Sequence, residues 1–424
     1  MRILFAIFPA AAHLYPITPL AWALQAAGHE VRVATSPNIA GTIEAAGLTA
    51  VPAGGPVQLA SEEEERLERP TDVLVLDHSH ETAWRTVARY LTGLFIRTFP
   101  DPEPGADHAS MADDLVAFAR GWQPDLVVWD TLNPVGMVAA KASGAAHARL
   151  LWGLDNVAWL SRKFREQPGG QLYDDPLVCW LEPLLNKYGC AFDEEAITGQ
   201  WTLDLVPSRM RLPLDLRYVP VRRVAYSGAS TVPDWLREPP GRPRVCLTLG
   251  VSSRTVYNKY RGFPIAELFD HIADLDIELV ATLNRSQLAE VRKVPDNVRT
   301  VDYVPLRLLL PTCSAIVHHG GGGTTAAAVE QRVPHLIIPV PKWDEENTAR
   351  HVVSRGAGLA MDGQDFSVAE FRRNLLRLLD EPSFQRGADA LYEDMLATPS
   401  PVETVPVLER LTAQAQQARA AAAR

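Results

Sequence analysis

The run His318-His319-Gly320-Gly321-Gly322-Gly323-Thr324-Thr325 constrains this chain more than any other stretch. The apolar segment Cys313 to Val317 precedes it and Ala326 to Val329 follows, an order that reads as strand, glycine-rich turn, helix. Without a Cβ, the glycines let backbone N–H groups approach a ligand that a side chain would exclude. The helix that follows offers orphan N–H groups and the positive end of its dipole, which together suit a phosphate. Thr324 and Thr325 are candidates to cap that helix or to donate to the same phosphate. The imidazoles of His318 and His319 are candidate donors, with a positive charge if one is protonated. The competing reading is a tight turn whose glycines only pack helix on strand, beside buried histidines.

At 424 residues the chain exceeds the size, about 250–300 residues, at which a single core stops growing, so two domains are expected. The formal net charge of −10 argues against nucleic acid or an anionic membrane as the main partner. An anionic ligand must then be met by local helix dipoles and a few placed cations. Met1 to Phe8 is too short for a secretion signal and reads as a first strand, and no apolar run reaches membrane-spanning length. The cysteines at 179, 190, 246 and 313 lack metal-like spacing, and a reduced, cytoplasmic setting is expected.

The chain opens with a strand at Arg2 to Phe8, a turn of small residues from Pro9 to His13, a helix around Leu20 to Leu24 and a strand at Glu30 to Thr35. That is a βαβ unit, which makes a parallel sheet. The turn lacks the G-x-G-x-x-G fingerprint, which disfavours a nicotinamide site. It places His13 where open α/β sheets bind ligands, at the carboxyl end of a strand. Residues 51–113 are less regular, with an acidic run at Glu62 to Glu65 and a His78/His80 pair. No second pair supports a metal site there, so a solvated surface is the reading. Asp125 to Asp130 reads as a buried strand ended by an acid, on the same sheet face as His13. A carboxylate bonded to one imidazole nitrogen fixes the tautomer and raises the basicity of the other, although Asp130 could equally cap a helix. From Asn156 to Cys190 the chain reads as helical and aromatic, interrupted at Gly169-Gly170, and the stretch from Met210 to Pro243 carries the prolines of a domain boundary.

The second half restarts with a strand at Arg244 to Gly250 and the polar loop Val251 to Arg254. Strands follow at Glu278 to Thr282, Val298 to Tyr303, Ala315 to His318 and His335 to Pro339, with a helix over Ile265 to Ile272 and a short one at Leu306 to Leu310. The loop Pro341 to Asn347 leads to a helix from Thr348, and Val402 to Arg424 is an Ala-rich helical tail. Two α/β halves with ligand loops at facing strand ends predict a cleft between domains.

Several phrases together resemble one family. They are His13 in Ala-His-Leu-Tyr-Pro, residues 19–33, Trp122 to Val127, Ala148 to Gly153, Gly199 to Thr202, Val245 to Gly250, Pro295 to Val301 and His318 to Gly321. The chain is similar, end to end, to inverting nucleotide-sugar glycosyltransferases of the GT-B fold, and most to the actinobacterial macrolide and anthracycline deoxysugar transferases of desosaminyltransferase type. The resemblance implies an α/β architecture of two facing Rossmann-like domains. An acceptor-binding domain is expected over 1–212, a linker over 213–243 and a nucleotide-sugar domain over 244–395. A tail over 396–424 is expected to pack back on the N-terminal domain.

Position by position, the resemblance makes His13 the general base and Asp130 its orienting acid. Gly250, Ser252 and Ser253 match the loop facing the donor phosphates, and Val304 and Pro305 lie where the chain passes the nucleobase. His319, Gly321, Gly323, Thr324 and Thr325 match the diphosphate motif. Asp344 and Glu345 fall where many relatives carry Asp-Gln against sugar hydroxyls; Glu345 departs from that pattern, since a carboxylate accepts hydrogen bonds but cannot donate. No cofactor or metal is expected beyond a dTDP-deoxysugar co-substrate and a polyketide-type aglycone. Implied partners are an auxiliary protein resembling a cytochrome P450 without working haem, docking near 60–115, and a second copy in a homodimer. The rival readings are a sugar-nucleotide epimerase and a non-catalytic binding protein on the same fold.

Overall fold

The computed structural model describes residues 1–57, 84–166, 175–250, 264–285, 287–289, 291–340, 343–363 and 365–422. The acidic run at 62–65, the His78/His80 pair, Gly169-Gly170, Ser252 and Ser253 lie outside the described residues. The chain forms two compact units, one holding the described residues through Arg222 together with Thr398–Ala422, the other holding those from Arg223 to Ala397.

The first unit is built on seven parallel strands in the order β3-β2-β1-β4-β5-β6-β7. They are β1 (Arg2–Ala6), β2 (Glu30–Thr35), β3 (Thr49–Pro52), β4 (Leu126–Asp130), β5 (Ala146–Leu151), β6 (Trp201–Asp204) and β7 (Tyr218–Pro220). Ile3, Leu4, Phe5 and Ala6 are fully buried, as are Leu126 to Trp129, because helices cover both faces of a parallel sheet. The strand order reverses between β1 and β4, which pair in register from Ile3 with Leu126 to Ala6 with Trp129. At such a switch point two neighbouring strands send their following helices to opposite faces, opening a crevice at their carboxyl ends. The helix Val135–Ser143 lies hard against this pair, since a Cβ on Gly136 would collide with the Ala6 and Trp129 side chains.

Two boundaries differ from the sequence expectation here. The first helix runs over Ala11–Ala26, so His13 sits in its first turn and not in a preceding turn. Pro16 and Pro19 both lie inside this helix, within its first three turns. Each lacks the N–H that would donate four residues back, so Pro16 removes the helical donor to the Ala12 carbonyl and Pro19 the one to the Tyr15 carbonyl. Part of the proline-rich stretch expected as linker adds β7 to the sheet, pairing Thr202 with Tyr218. The last helix, Pro401–Ala422, packs on the Ala11–Ala26 helix and on β5 through buried Val405, Leu408 and Leu411. Glu409 on that helix meets His29 Nε2 at 2.9 Å.

The second unit repeats the plan with six parallel strands in the order β10-β9-β8-β11-β12-β13. They are β8 (Arg244–Thr248), β9 (Glu278–Thr282), β10 (Val298–Val301), β11 (Ala315–His318), β12 (His335–Ile337) and β13 (Gly358–Ala360). Alternation along β8 and β11 feeds two cores. Leu247 and Val317 join Phe269 and Phe371 on one face, whereas Cys246 and Ile316 join Ala327 and Ala328 on the other. The switch point falls between β8 and β11, where Thr248 pairs with His318. A further helix begins at Glu345, three residues before the expected start, with Asp344 at its N-cap.

Candidate active site

At the first switch point, His13 and Asp130 come together from elements 117 residues apart in sequence. His13 Nδ1 lies 2.6 Å from Asp130 Oδ2. A carboxylate accepts only, so Nδ1 carries the hydrogen, and in the neutral ring Nε2 keeps its lone pair. Asp130 is fully buried, and its other oxygen, Oδ1, accepts from Leu132 N–H at 2.8 Å and from Trp152 Nε1–H at 3.2 Å. Asp130 is not a helix cap, since the Val135–Ser143 helix begins after Pro134 with no side-chain cap; the carboxylate holds the turn after its own strand and the imidazole. Phe8 and Trp152 flank the imidazole, with ring centroids 4.9 Å and 4.7 Å away. Asn133 Nδ2 donates to Ile7 O at 2.9 Å and ties the end of β1 to the loop after β4. The group so held can receive a proton at Nε2 while Asp130 balances the charge that results.

At the second switch point the site is built of backbone. The helix Gly322–Glu330 starts with Gly321 at its N-cap and has no side-chain cap, so its first N–H groups have no partner within the helix. Each glycine before it answers to a neighbour. Gly320 has φ +91 and sits against the Glu345 backbone, where a Cβ would stand 3.0 Å from Glu345 O. The His319 imidazole lies between Gly250 and Gly321: a Cβ on Gly250 would come 2.5 Å from Cε1, and one on Gly321 would collide with Nε2. A Cβ on Gly322 would meet Arg223 Nη1 at 2.7 Å, whereas one on Gly323 would meet nothing within 4 Å. The loop is therefore shaped by the protein at 320–322 and open at 323.

The two adjacent histidines separate. His318 is buried, accepts from Gly320 N–H through Nδ1 at 3.1 Å, and meets His335 Nδ1 through Nε2 at 3.0 Å. Its Nε2 therefore carries the hydrogen. Burial, reinforced by the neighbouring His335 and His319, holds the His318 pKa well below the ordinary imidazole value, and burial takes His335 down to about 3. The expectation that both imidazoles donate to a ligand fails for His318, which is neutral and faces the core. The expectation that the threonines cap the helix fails too. Thr325 turns its hydroxyl back to Gly321 O at 3.1 Å, and Thr324 is buried.

Around this loop, Val304 is buried and Pro305 begins the short helix Leu306–Leu309. Asp344 and Glu345 are both buried. The Glu345 carboxylate accepts from the backbone N–H groups of Trp343, at 2.7 Å, and Asp344, at 3.1 Å. It thus closes its own loop, a task that needs only acceptors and that an amide oxygen could share. Desolvation lowers the pKa of the Arg223 guanidinium and the Asp344 charge opposes that shift, so the two are close enough to interact. Arg223, Trp152, Phe8 and His335 were not singled out in the sequence. Arg223 lay inside a presumed linker, Trp152 and His335 reach the site through contacts distant in sequence, and Phe8 lies near His13 in the chain as an unremarked strand-end residue. Among the described residues, no group of three or more His, Cys, Asp or Glu is placed to hold a metal ion, and no helix is long and apolar enough to cross a membrane.

Comparison with known proteins fits this geometry. Residues 22–250 match the N-terminal domain, and residues 266–411 the C-terminal domain, of the family described as erythromycin biosynthesis protein CIII-like. The chain is 45% identical to the aclacinomycin-T 2-deoxy-L-fucose transferase of Streptomyces galilaeus, over 99% of this chain and 98% of that one. It is 44% identical to the 10-deoxymethynolide desosaminyltransferase of Streptomyces venezuelae, over 98% of each. Among solved structures, the glycosyltransferase VinC in complex with dTDP is similar at a TM-score of 0.84 and 39% identity, over 98% of this chain and 100% of VinC.

Proposed function

The chain belongs to the erythromycin biosynthesis protein CIII-like family and is a deoxysugar glycosyltransferase of antibiotic biosynthesis, and on that premise we propose how it acts and on what. The donor is a dTDP-deoxysugar and the acceptor a hydroxyl of a polyketide-type aglycone. VinC, similar over its whole length, holds dTDP, and both relatives named above transfer deoxysugars. Neither the epimerase nor the non-catalytic reading has such support.

The reaction is a single displacement with inversion. The acceptor oxygen forms a bond to the anomeric carbon, its proton passes to His13 Nε2, and the bond from that carbon to the diphosphate breaks with the electron pair leaving on dTDP. The observation that carries this reading is the 2.6 Å bond between His13 and buried Asp130 at the β1/β4 switch point, which leaves one basic nitrogen on a fixed ring. In the second unit, the N-terminus of the Gly322–Glu330 helix, His319 and Arg223 are the donors and cation suited to the departing diphosphate. Gly250, Gly321, Gly323, Thr324 and Thr325 belong to that loop or its rim. Ser252 and Ser253 are assigned to the same phosphates by family resemblance, Val304 and Pro305 to the thymine, and Asp344 to the sugar hydroxyls, with Glu345 supporting it.

His13→Ala tests the base. General-base help is worth about 10²–10⁴-fold, so turnover of dTDP-sugar and aglycone should fall by that factor while calorimetry finds dTDP bound as before. Wild-type turnover in that variant would remove the assignment. The auxiliary cytochrome P450-like protein, the homodimer and the cytoplasmic setting stay with the proposal. Adding such an auxiliary protein should raise turnover or change the oligomeric state; neither changing would dismiss it.

A further inference from the structure

The general base has a second support that the reaction chemistry does not call for by itself. Trp152 stands one residue beyond β5, the strand that pairs with β4, and its half-buried indole reaches across to the end of β4. Its single N–H donates to Asp130 Oδ1 at 3.2 Å, while the edge contact with His13 brings the two ring centroids to 4.7 Å at 69°. An indole has one donor and no acceptor, so this bond fixes the plane of the ring as well as the carboxylate.

Asp130 has four lone-pair directions in a site with no access to water. Three are answered, by Leu132 N–H, Trp152 Nε1–H and His13 Nδ1–H. Leu132 is two residues away on the same turn and moves with Asp130. Trp152 follows another strand and His13 is the group to be held, so Trp152 is the independent donor that can stop the carboxylate rotating about its own side chain. If that rotation were free, Oδ2 could leave Nδ1 and the imidazole could take the other tautomer, with the hydrogen on Nε2 and no lone pair for the acceptor proton.

We propose that Trp152 is a positioning residue for the His13–Asp130 pair, its indole N–H locking the carboxylate that sets the tautomer of the base. This deepens, and rests on, the reading of His13 as general base. The role is chemical and not steric, because it belongs to the N–H and not to the bulk of the ring.

Two replacements separate N–H from bulk in the full-length protein. Trp152→Phe removes the N–H and part of the ring. Exchange of Trp152 for benzothienylalanine keeps the fused ring and puts sulfur where the N–H was, which guards against a misfolded variant. Turnover is measured with dTDP-sugar and aglycone, and the His13 ring nitrogens are followed by ¹⁵N NMR of histidine-labelled protein at a pH where the ring is neutral. Both changes should lower kcat about 10- to 100-fold, the range for losing a hydrogen bond to a charged group, with KM for the aglycone nearly unchanged. The His13 signals should move from a single Nδ1–H tautomer toward a mixture. Three results would overturn the proposal: wild-type kcat and tautomer in the benzothienyl protein, a loss in the Phe variant alone, or a loss confined to the aglycone KM. The base reading fails separately, through an active His13→Ala protein, so a normal Trp152 variant beside a dead His13→Ala variant rejects this role and leaves the base in place.

Discussion

The two switch points share a topology and differ in what they present. At β1/β4 the crevice is furnished with side chains, a histidine, an aspartate and two aromatic rings, each tied to a particular partner. At β8/β11 it is furnished with backbone, a run of glycines before a helix whose first N–H groups are left over. Moving a proton needs one atom with one lone pair at one orientation, and only a side chain held by other side chains gives that. Holding a spread, multiply charged anion needs several donors at once, and a helix terminus supplies them without ordering any long side chain. On the proposed reading, the same fold therefore carries a precise site in one unit and a broad electrostatic one in the other.

That contrast can be broken experimentally. The largest effect belongs to the side-chain site: the loss in His13→Ala should fall on turnover and leave dTDP affinity alone. A dTDP affinity that fell equally would erase the distinction. The complementary change is Gly320→Ala. Its φ of +91 and the Glu345 backbone 3.0 Å from the new Cβ make the substitution strained, at about 1–3 kcal/mol for a residue held in a rare backbone region. Where the loop leaves its binding shape to relieve that strain, the dTDP dissociation constant should rise about 5- to 150-fold, read by calorimetry. An unaltered constant would mean that the loop's shape does not matter to the anion.

The smallest effect sharpens the comparison. His318 and His335 have pKa values below the unfolded imidazole value of about 6.5, so the fold keeps both neutral while the unfolded chain takes up protons. Their neutrality costs nothing above that pH. Below it, protons favour the unfolded state and stability is lost as pH falls, down toward the folded value of about 3 for His335. Each such histidine adds at most about 1.4 kcal/mol per pH unit to the slope. His335→Gln, which can still accept from His318, should give a shallower acid limb in denaturant midpoints measured from pH 7 to 5. An unchanged limb would show that this pair does not set the acid sensitivity of the backbone-built site.

The fold could be read far along the chain because parallel strands buried on both faces are written as continuous apolar runs, as in Ile3 to Ala6 and Ala315 to Val317. Helix boundaries could be read less well. The helix expected around Leu20 to Leu24 begins already at Ala11 and runs through Pro16 and Pro19, and no local signal announces that early start. His318 and His319 are neighbours of the same type, and the sequence could not say which one turns inward. The register of β11 on β8 and β12 sends His318 to His335 and leaves His319 between Gly250 and Gly321.

Sequence alone determined the kinds of groups available: a βαβ start with a histidine after its first strand, an acid ending a later strand, and a glycine run opening a helix. Those are local facts, set by propensity and spacing. Tertiary structure decided which of them meet. The 2.6 Å approach of His13 to Asp130, the reach of Trp152 from the neighbouring strand, the capture of the Glu345 carboxylate by its own loop and the arrival of Arg223 beside Gly322 are all consequences of strand order and packing. No spacing in the chain encodes them, because contact across a sheet depends on which strands become neighbours and not on how far apart they are in sequence.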